Sequence, residues 1–182
     1  MNFAFEPHPS PVPVNERAAR LIDPGFGRVF TDHMVVLHYS EARGWHDGRI
    51  TQRVPLTMDP ASSVLHYAQE IFEGLKAYRL EDGGLALFRP EANARRFNAS
   101  AQRMAMPDLP EELFLESVEQ IVLTERDWMP DIDGGSLYLR PFMIASEAFL
   151  GVKPSAEYLY MVLASSVGAY WKGGARAVSL WV

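Results

Sequence analysis

The chain has 182 residues and a formal net charge of −6, from 17 lysine and arginine residues against 23 acidic ones, and it contains no cysteine. Hydrophobic residues make up 48% and aromatic residues 12%, which excludes a disordered chain, while the lack of cysteine excludes disulfides, thiol catalysis and cysteine-bound metals. No basic run, signal-like N-terminus or apolar run of membrane-spanning length occurs, so we expect a cytoplasmic protein that binds neither nucleic acid nor membranes.

The first third of the chain predicts an extended segment followed by two strands. Residues 1–25 are rich in proline and polar side chains, which favours an extended lead-in that lies over the domain. A run of apolar residues predicts a buried strand over 31–39, and alternating residues predict a second strand over 49–58. Glycine and aspartate at 44–48 predict the turn between them.

The middle of the chain predicts a compact unit of helix, hairpin and helix. Apolar residues at helical spacing over 64–72 predict a helix that ends at Gly74, because glycine adopts the positive φ found just past a last helical turn. Alternation over 75–80, the turn residues 82–84 and the apolar run 85–88 predict a hairpin.

The remaining elements complete the predicted domain organisation. Helices are predicted over 91–104 and 111–126, and strands over 136–146 and 157–164. The predicted fold class is α/β of the α+β type, with a mixed, largely antiparallel sheet and flanking helices. We expect four segments: a lead-in (1–25), a small N-terminal domain (26–166), an interdomain linker (167–174) and the first strand of a second domain (175–182).

Two arginine positions stand out by their surroundings. Arg95 and Arg96 are adjacent on a predicted helix, where a solvated charged face is the ordinary interpretation. A phosphate anchor is the alternative, because a guanidinium bonds two phosphate oxygens at once. Tyr138 and Arg140 are two residues apart on a predicted strand and so point to the same face. Since Arg140 lies among apolar residues, it needs either a buried carboxylate partner or an anionic ligand.

The common catalytic and metal-binding motifs do not occur in this sequence. There is no glycine-rich phosphate loop, no His-Glu-x-x-His and no serine between spaced glycines. The five histidines are scattered without the spacing of metal ligands, so no metal site is predicted.

Several short motifs nevertheless occur in a distinctive order. They are Thr31-Asp32-His33-Met34, Leu65-His66-Tyr67, Phe72-Glu73-Gly74-Leu75-Lys76-Ala77-Tyr78, Leu87-Phe88-Arg89-Pro90, Asn93-x-x-Arg96-Phe97, Ser136-Leu137-Tyr138-Leu139-Arg140-Pro141, Leu150-Gly151-Val152 and Val167-Gly168-Ala169-Tyr170. This series resembles the branched-chain amino acid aminotransferases, which are fold-type IV pyridoxal-phosphate enzymes. The resemblance runs from about Phe26 to the end and covers the family's small N-terminal domain, of the D-amino-acid aminotransferase-like fold, and its interdomain loop.

The resemblance implies roles for the polar residues of these motifs. Arg96 matches the arginine that binds the phosphate of pyridoxal 5'-phosphate. Arg140 matches the arginine that receives the distal carboxylate of glutamate, with Tyr67 reaching across from a neighbouring subunit. Tyr170 matches a position in the flexible interdomain segment that contributes to substrate binding.

The resemblance also implies roles for apolar residues and a dimeric assembly. Phe26, Phe72 and Tyr138 match the walls of the pocket for the substrate's side chain. Leu150 and Val152 match a loop that closes over the pocket of the partner subunit. The implied reaction transfers the amino group of leucine, isoleucine or valine to 2-oxoglutarate in a homodimer.

The lysine that forms a Schiff base with the cofactor belongs to the family's larger domain, so we expect no catalytic residue in this chain. Its three lysines, Lys76, Lys153 and Lys172, do not match that position. We therefore expect the 182-residue polypeptide alone to be inactive. The alternatives are a non-catalytic relative that acts as a dimerising or partner-binding domain, and another fold-type IV enzyme, a D-amino-acid aminotransferase or an aminodeoxychorismate lyase.

Overall fold

The computed structural model describes residues 3–169 and 177–181. Within these residues, nine strands form one sheet, and every pairing is antiparallel except the parallel pairing of the first and fourth strands. The strands are β1 (Ala4–Phe5), β2 (Val29–Phe30), β3 (His33–Ser40), β4 (Gly44–Gln52), β5 (Glu70–Phe72), β6 (Leu75–Arg79), β7 (Leu85–Leu87), β8 (Ser136–Ala145) and β9 (Glu157–Val167).

Four α-helices accompany the sheet in the same part of the chain. They are α1 (Val14–Leu21), α2 (Ser63–Tyr67), α3 (Pro90–Arg103) and α4 (Glu111–Thr124), and a short 3₁₀ helix covers Arg126–Trp128. The strand order is β1-β4-β3-β9-β8-β6-β7, with β2 beside β9 and β5 beside β8. This mixed, largely antiparallel sheet with flanking helices confirms the predicted fold class.

Helices α3 and α4 cover one face of the sheet and form the main core with it. Phe97 of α3 and Phe114 of α4 are fully buried with Tyr160 of β9, and the rings of Phe97 and Tyr160 have centroids 5.6 Å apart. Burying one such side chain contributes about 1.5–3 kcal/mol. Because side chains alternate along a strand, residues of β8 that do not enter this core point to the opposite face.

The central helix is shorter than its sequence pattern predicts. Helix α2 ends at Tyr67, where Ala68 adopts a left-handed φ of 49°. The following residues form β5, whose Phe72 pairs with Phe142 of β8. A helix of five residues gains few internal hydrogen bonds, so pairing with a long neighbouring strand prevails over helical spacing. Gly74 does not have a positive φ, and the predicted glycine stop is wrong.

Two further predictions in the N-terminal third need correction. The predicted turn at 44–48 lies inside β4, and the chain reverses at 41–43 instead. Asp47, with a φ of 54°, and a register shift between Val36 and His38 mark an irregularity that lets β4 continue. The lead-in is not extended throughout, because it contains the exposed helix α1 and the edge strand β1.

The C-terminal end also differs from the prediction. Strand β9 continues to Val167, three residues beyond its predicted end, because it pairs with β8 over that whole length. Residues 177–181, predicted as part of a strand, have no regular secondary structure and are exposed, since a strand requires hydrogen bonds to a neighbour. Most of the predicted linker, including Tyr170, lies outside the described residues. None of the helices in the described ranges is long and apolar enough to cross a membrane.

Candidate functional site

Arg140 is half-buried on the sheet face opposite α3 and α4. Its Nε and Nη2 groups donate hydrogen bonds to the phenol oxygen of Tyr138, at 3.1 Å and 2.7 Å. The guanidinium also lies over the ring of Phe72, 4.4 Å from its centroid, where the ring's electron density attracts a cation. In the described part of the chain, no carboxylate lies within ion-pair distance of Arg140. Its charge therefore stays available for an anion.

A small apolar cavity of about 210 Å³ adjoins this arginine. Phe26 and Tyr138 form part of its wall, with ring centroids 5.1 Å apart. Leu163 of β9, which lies opposite Arg140 in the strand register, lines it as well. Ligand pockets commonly measure about 300–1,000 Å³, so this cavity suits one small side chain rather than a large molecule.

Arg96 projects from α3 and is bound by a single carboxylate. Its Nε and Nη2 groups donate to the two carboxylate oxygens of Glu73, at 2.5 Å and 2.6 Å. The Arg96 side chain is 68% exposed and that of Glu73 only 3%. Neighbouring Arg95 has only a loose contact with Glu111, at 4.0 Å, and both of those side chains are exposed. Of the two adjacent arginines, Arg96 is therefore the one that the fold holds in place.

Glu73 stays ionised because several donors surround it. Burial by itself would raise the pKa of Glu73, but hydrogen bonds from Arg96, Asn93 and the Gly74 backbone outweigh burial and lower that pKa. Asn93 donates from Nδ2 to Oε2 of Glu73 at 2.9 Å. Glu73 in turn raises the pKa of Arg96 by accepting its hydrogen bonds. The pair is thus fully charged at neutral pH.

The two arginine sites meet at residues 73 and 74, between β5 and β6. The backbone N–H of Glu73 donates to the carbonyl oxygen of Pro141 in β8, at 2.8 Å. A Cβ atom added to Gly74 would lie 2.6 Å from the phenol oxygen of Tyr138, closer than real contacts allow. Glycine is therefore needed at position 74 for the close approach of the tyrosine that supports Arg140.

A third group of predicted site residues lies apart from both arginines. Tyr67, at the end of α2, donates a hydrogen bond to the backbone oxygen of Leu150. Leu150 is 60% exposed and Val152 is 91% exposed. No hydrogen bond, ion pair or ring contact between described residues joins this group to Arg140.

The structure thus brings four of the predicted residues together, namely Phe26, Phe72, Tyr138 and Arg140, and it places Tyr67 with Leu150. Sequence reasoning missed Glu73 as the partner of Arg96, because the two residues are 23 positions apart and no local pattern links them. The one available signal was an acidic residue between apolar strand residues, which requires a buried cation or a hydrogen-bond donor.

A half-buried arginine beside an apolar cavity, with a second arginine held by a buried carboxylate, defines an α/β domain suited to a small anionic ligand. No protein-family model matches the chain. Curated relatives do match it, and they bear one name. The chain is 56% identical, over 98% of its length, to a probable branched-chain-amino-acid aminotransferase of Streptomyces coelicolor. It is 49% identical over its full length to the branched-chain-amino-acid aminotransferase of Mycolicibacterium smegmatis.

This chain is a homologue of the branched-chain-amino-acid aminotransferases, which confirms the resemblance seen in its motifs. It covers 49% of the Streptomyces coelicolor protein and 50% of the Mycolicibacterium smegmatis protein, and so spans about half the length of these relatives.

Solved structures agree on the fold. The branched-chain amino acid aminotransferase of Escherichia coli matches 79% of this chain, using 42% of its own, with a TM-score of 0.57 and 21% identity. A thermophile-type structure of the same name, a branched-chain amino acid aminotransferase in complex with N-(5'-phosphopyridoxyl)-L-glutamate, matches 74% of this chain and 41% of its own, with a TM-score of 0.54 and 29% identity.

Proposed function

We propose that the complete protein is a cytoplasmic branched-chain aminotransferase that transfers the amino group of leucine, isoleucine or valine to 2-oxoglutarate. The observation that carries the proposal is Arg140, held by Tyr138 beside a small apolar cavity. Such an enzyme must accept aliphatic and acidic side chains in one pocket. The aromatic and aliphatic walls serve the first, and a guanidinium without a protein carboxylate serves the second.

Energetics favour this division of roles. The cost of leaving Arg140 without an anion stays small, because Tyr138 accepts two of its N–H groups and the side chain is only half-buried. An aliphatic substrate can therefore occupy the cavity without having to compensate for a deeply buried charge. When an acidic substrate binds, the remaining N–H groups of Arg140 can donate to its distal carboxylate.

Pyridoxal 5'-phosphate is the cofactor that we propose, with Arg96 as a ligand of its phosphate group. The residues fit this group, because the guanidinium is exposed and Glu73 occupies only its Nε and Nη2 side. The cofactor, when bound, supplies an electron sink for the substrate's α-carbon. One of the similar aminotransferase structures holds a phosphopyridoxyl derivative of glutamate, which supports the same cofactor here.

We propose a homodimer in which Tyr67, Leu150 and Val152 complete the pocket of the partner subunit. These side chains are exposed on this chain, and within its described residues no hydrogen bond, ion pair or ring contact joins them to Arg140, as expected of residues that serve a second pocket. We also propose that none of the chain's lysines holds the cofactor. Lys153 donates to Glu147 at 2.9 Å, and Lys76 lies opposite Tyr138 in the register of β6 and β8.

The test uses the full-length protein and this 182-residue chain side by side. Each is supplied with pyridoxal phosphate, leucine and 2-oxoglutarate, and glutamate formation is measured. A second sample is reduced with borohydride, and the modified lysine is mapped by mass spectrometry. We expect turnover and a single labelled lysine in the full-length protein only, at a position outside this chain.

Other results would redirect the assignment. A full-length protein that forms dimers but neither binds the cofactor nor transaminates would be a non-catalytic relative. Turnover of D-amino acids or of aminodeoxychorismate in place of leucine would indicate one of the other fold-type IV activities. Stoichiometric labelling of Lys76, Lys153 or Lys172 with leucine-dependent turnover would contradict the expectation that the catalytic lysine lies elsewhere.

A further inference from the structure

Glu73 is a buried carboxylate that no role in the proposed reaction yet explains. Its side chain is 3% exposed, and a carboxylate at such a depth is stable only if donors surround it. Arg96 supplies two hydrogen bonds and Asn93 a third, both from α3. The Glu73 backbone N–H is bonded to Pro141 of β8, so the carboxylate is fixed to the sheet while its partners belong to a helix.

The way in which Glu73 binds Arg96 leaves part of the guanidinium free. A guanidinium has five N–H groups, and Glu73 engages one on Nε and one on Nη2. The two N–H groups of Nη1 and the second one of Nη2 form the far end of the fork. That end has the spacing needed to bond two oxygens of a phosphate while Glu73 remains bound.

We infer that Glu73 is a positioning residue, which holds Arg96 so that the free end of its guanidinium is presented to the phosphate of the cofactor. This inference rests on the proposed function. An exposed arginine on a helix samples many rotamers, and a ligand that captures one of them must compensate for the lost side-chain entropy. Glu73 restricts Arg96 before the phosphate arrives.

The charge of Glu73 acts in the opposite direction. A carboxylate near a phosphate lowers its affinity by repulsion, so removing the charge mixes two effects of opposite sign. A charge-conserving change separates them. Glu73→Asp keeps the negative charge, but its side chain is one methylene shorter and cannot reach both Nε and Nη2 in the present geometry.

The experiment measures binding to the full-length apoprotein by calorimetric titration, with pyridoxal phosphate and with pyridoxal, which lacks the phosphate. Glu111→Asp is the matched control, because it shortens the exposed partner of neighbouring Arg95 on the next helix. For Glu73→Asp we expect pyridoxal phosphate to bind about 3- to 10-fold more weakly, which corresponds to immobilising one long side chain. Pyridoxal binding should be unchanged, and Glu111→Asp should change neither.

Unchanged affinity for pyridoxal phosphate in Glu73→Asp would overturn the inference, and so would an equal loss for both compounds, which marks a purely structural role. If Glu73→Asp does not fold, as judged by circular dichroism, the same comparison is made with the nearly isosteric Glu73→Gln against Glu111→Gln. Titration with inorganic phosphate separates this inference from the proposed function. Weaker phosphate binding in the Glu73 variant alone supports the inference even if the protein transaminates nothing.

Discussion

The domain holds its two site arginines in different ways. Arg96 is exposed, yet a buried carboxylate binds its Nε and Nη2 groups. Arg140 is half-buried, and what holds it is a phenol oxygen together with the ring faces of Phe72 and Tyr138. A carboxylate offsets the charge of a guanidinium, whereas a phenol and an aromatic ring orient it and leave its charge intact.

This difference matches two kinds of ligand. An arginine whose charge is largely offset suits a group that stays bound, because its task is orientation. An arginine that keeps its charge suits a group that comes and goes, because the whole attraction is available when an anion enters. Each of the following predictions tests one side of this comparison in the full-length protein.

The largest effect is expected for Arg140→Met. Removing one partner of a charge pair costs about 2–5 kcal/mol, so kcat/KM for glutamate should fall about 30-fold or more. The value for leucine should fall much less, because the apolar contacts of the cavity remain. Single-turnover absorbance changes with each amino acid measure both half-reactions, and Arg95→Met serves as the control. Equal losses for glutamate and leucine would mean that Arg140 is structural.

Arg96→Ala should have the next largest effect, on cofactor affinity. Losing a two-point charged contact costs about 2–3 kcal/mol, a factor of about 30–150 in the dissociation constant of pyridoxal phosphate. Arg95→Ala should change it far less, since Arg95 has only its loose contact with Glu111. A titration in which the two variants are equally impaired would contradict the assignment of Arg96.

Gly74→Ala tests the junction between the two sites. The added Cβ would lie 2.6 Å from the Tyr138 phenol oxygen, so we expect a loss of about 1–3 kcal/mol in the free energy of unfolding, measured by urea denaturation. Tyr138→Phe removes the oxygen and should recover part of that loss in the double variant. Gly168→Ala is the control, because its Cβ would lie 3.8 Å from the nearest atom. No recovery in the double variant would assign the strain to another contact.

The smallest effect is a dependence of stability on pH. The pKa of Glu73 is lowered in the folded protein, so its contribution is present above the ordinary glutamate value of 4.5 and is lost as pH falls through the lowered value. Glu73→Gln should therefore be less stable than the wild type by about 1 kcal/mol at pH 7, and this gap should close in acid. Thermal unfolding from pH 7 to pH 3 measures it, with Glu111→Gln as the control. A gap that is constant with pH would exclude the ion pair as its cause.

The sequence by itself determined the parts of this domain that depend on local periodicity. The pattern of α4 correctly predicted its buried residues, because a helix of 14 residues has one apolar face whatever it packs against. The strand pattern also placed Tyr138 and Arg140 on one face, since side chains alternate in any strand. The motif order indicated the family, and with it Arg96 in preference to Arg95.

Only the tertiary structure decided the features that depend on residues far apart in the chain. Residues 70–72 form a strand instead of a helix because β8 offers hydrogen bonds that a short helix cannot match. Gly74 is needed for its contact with Tyr138, and Glu73 has a role because α3 brings Arg96 and Asn93 to it. Such contacts join elements that are 20 or more positions apart, as Glu73 and Asn93 are, and local sequence patterns carry no record of them.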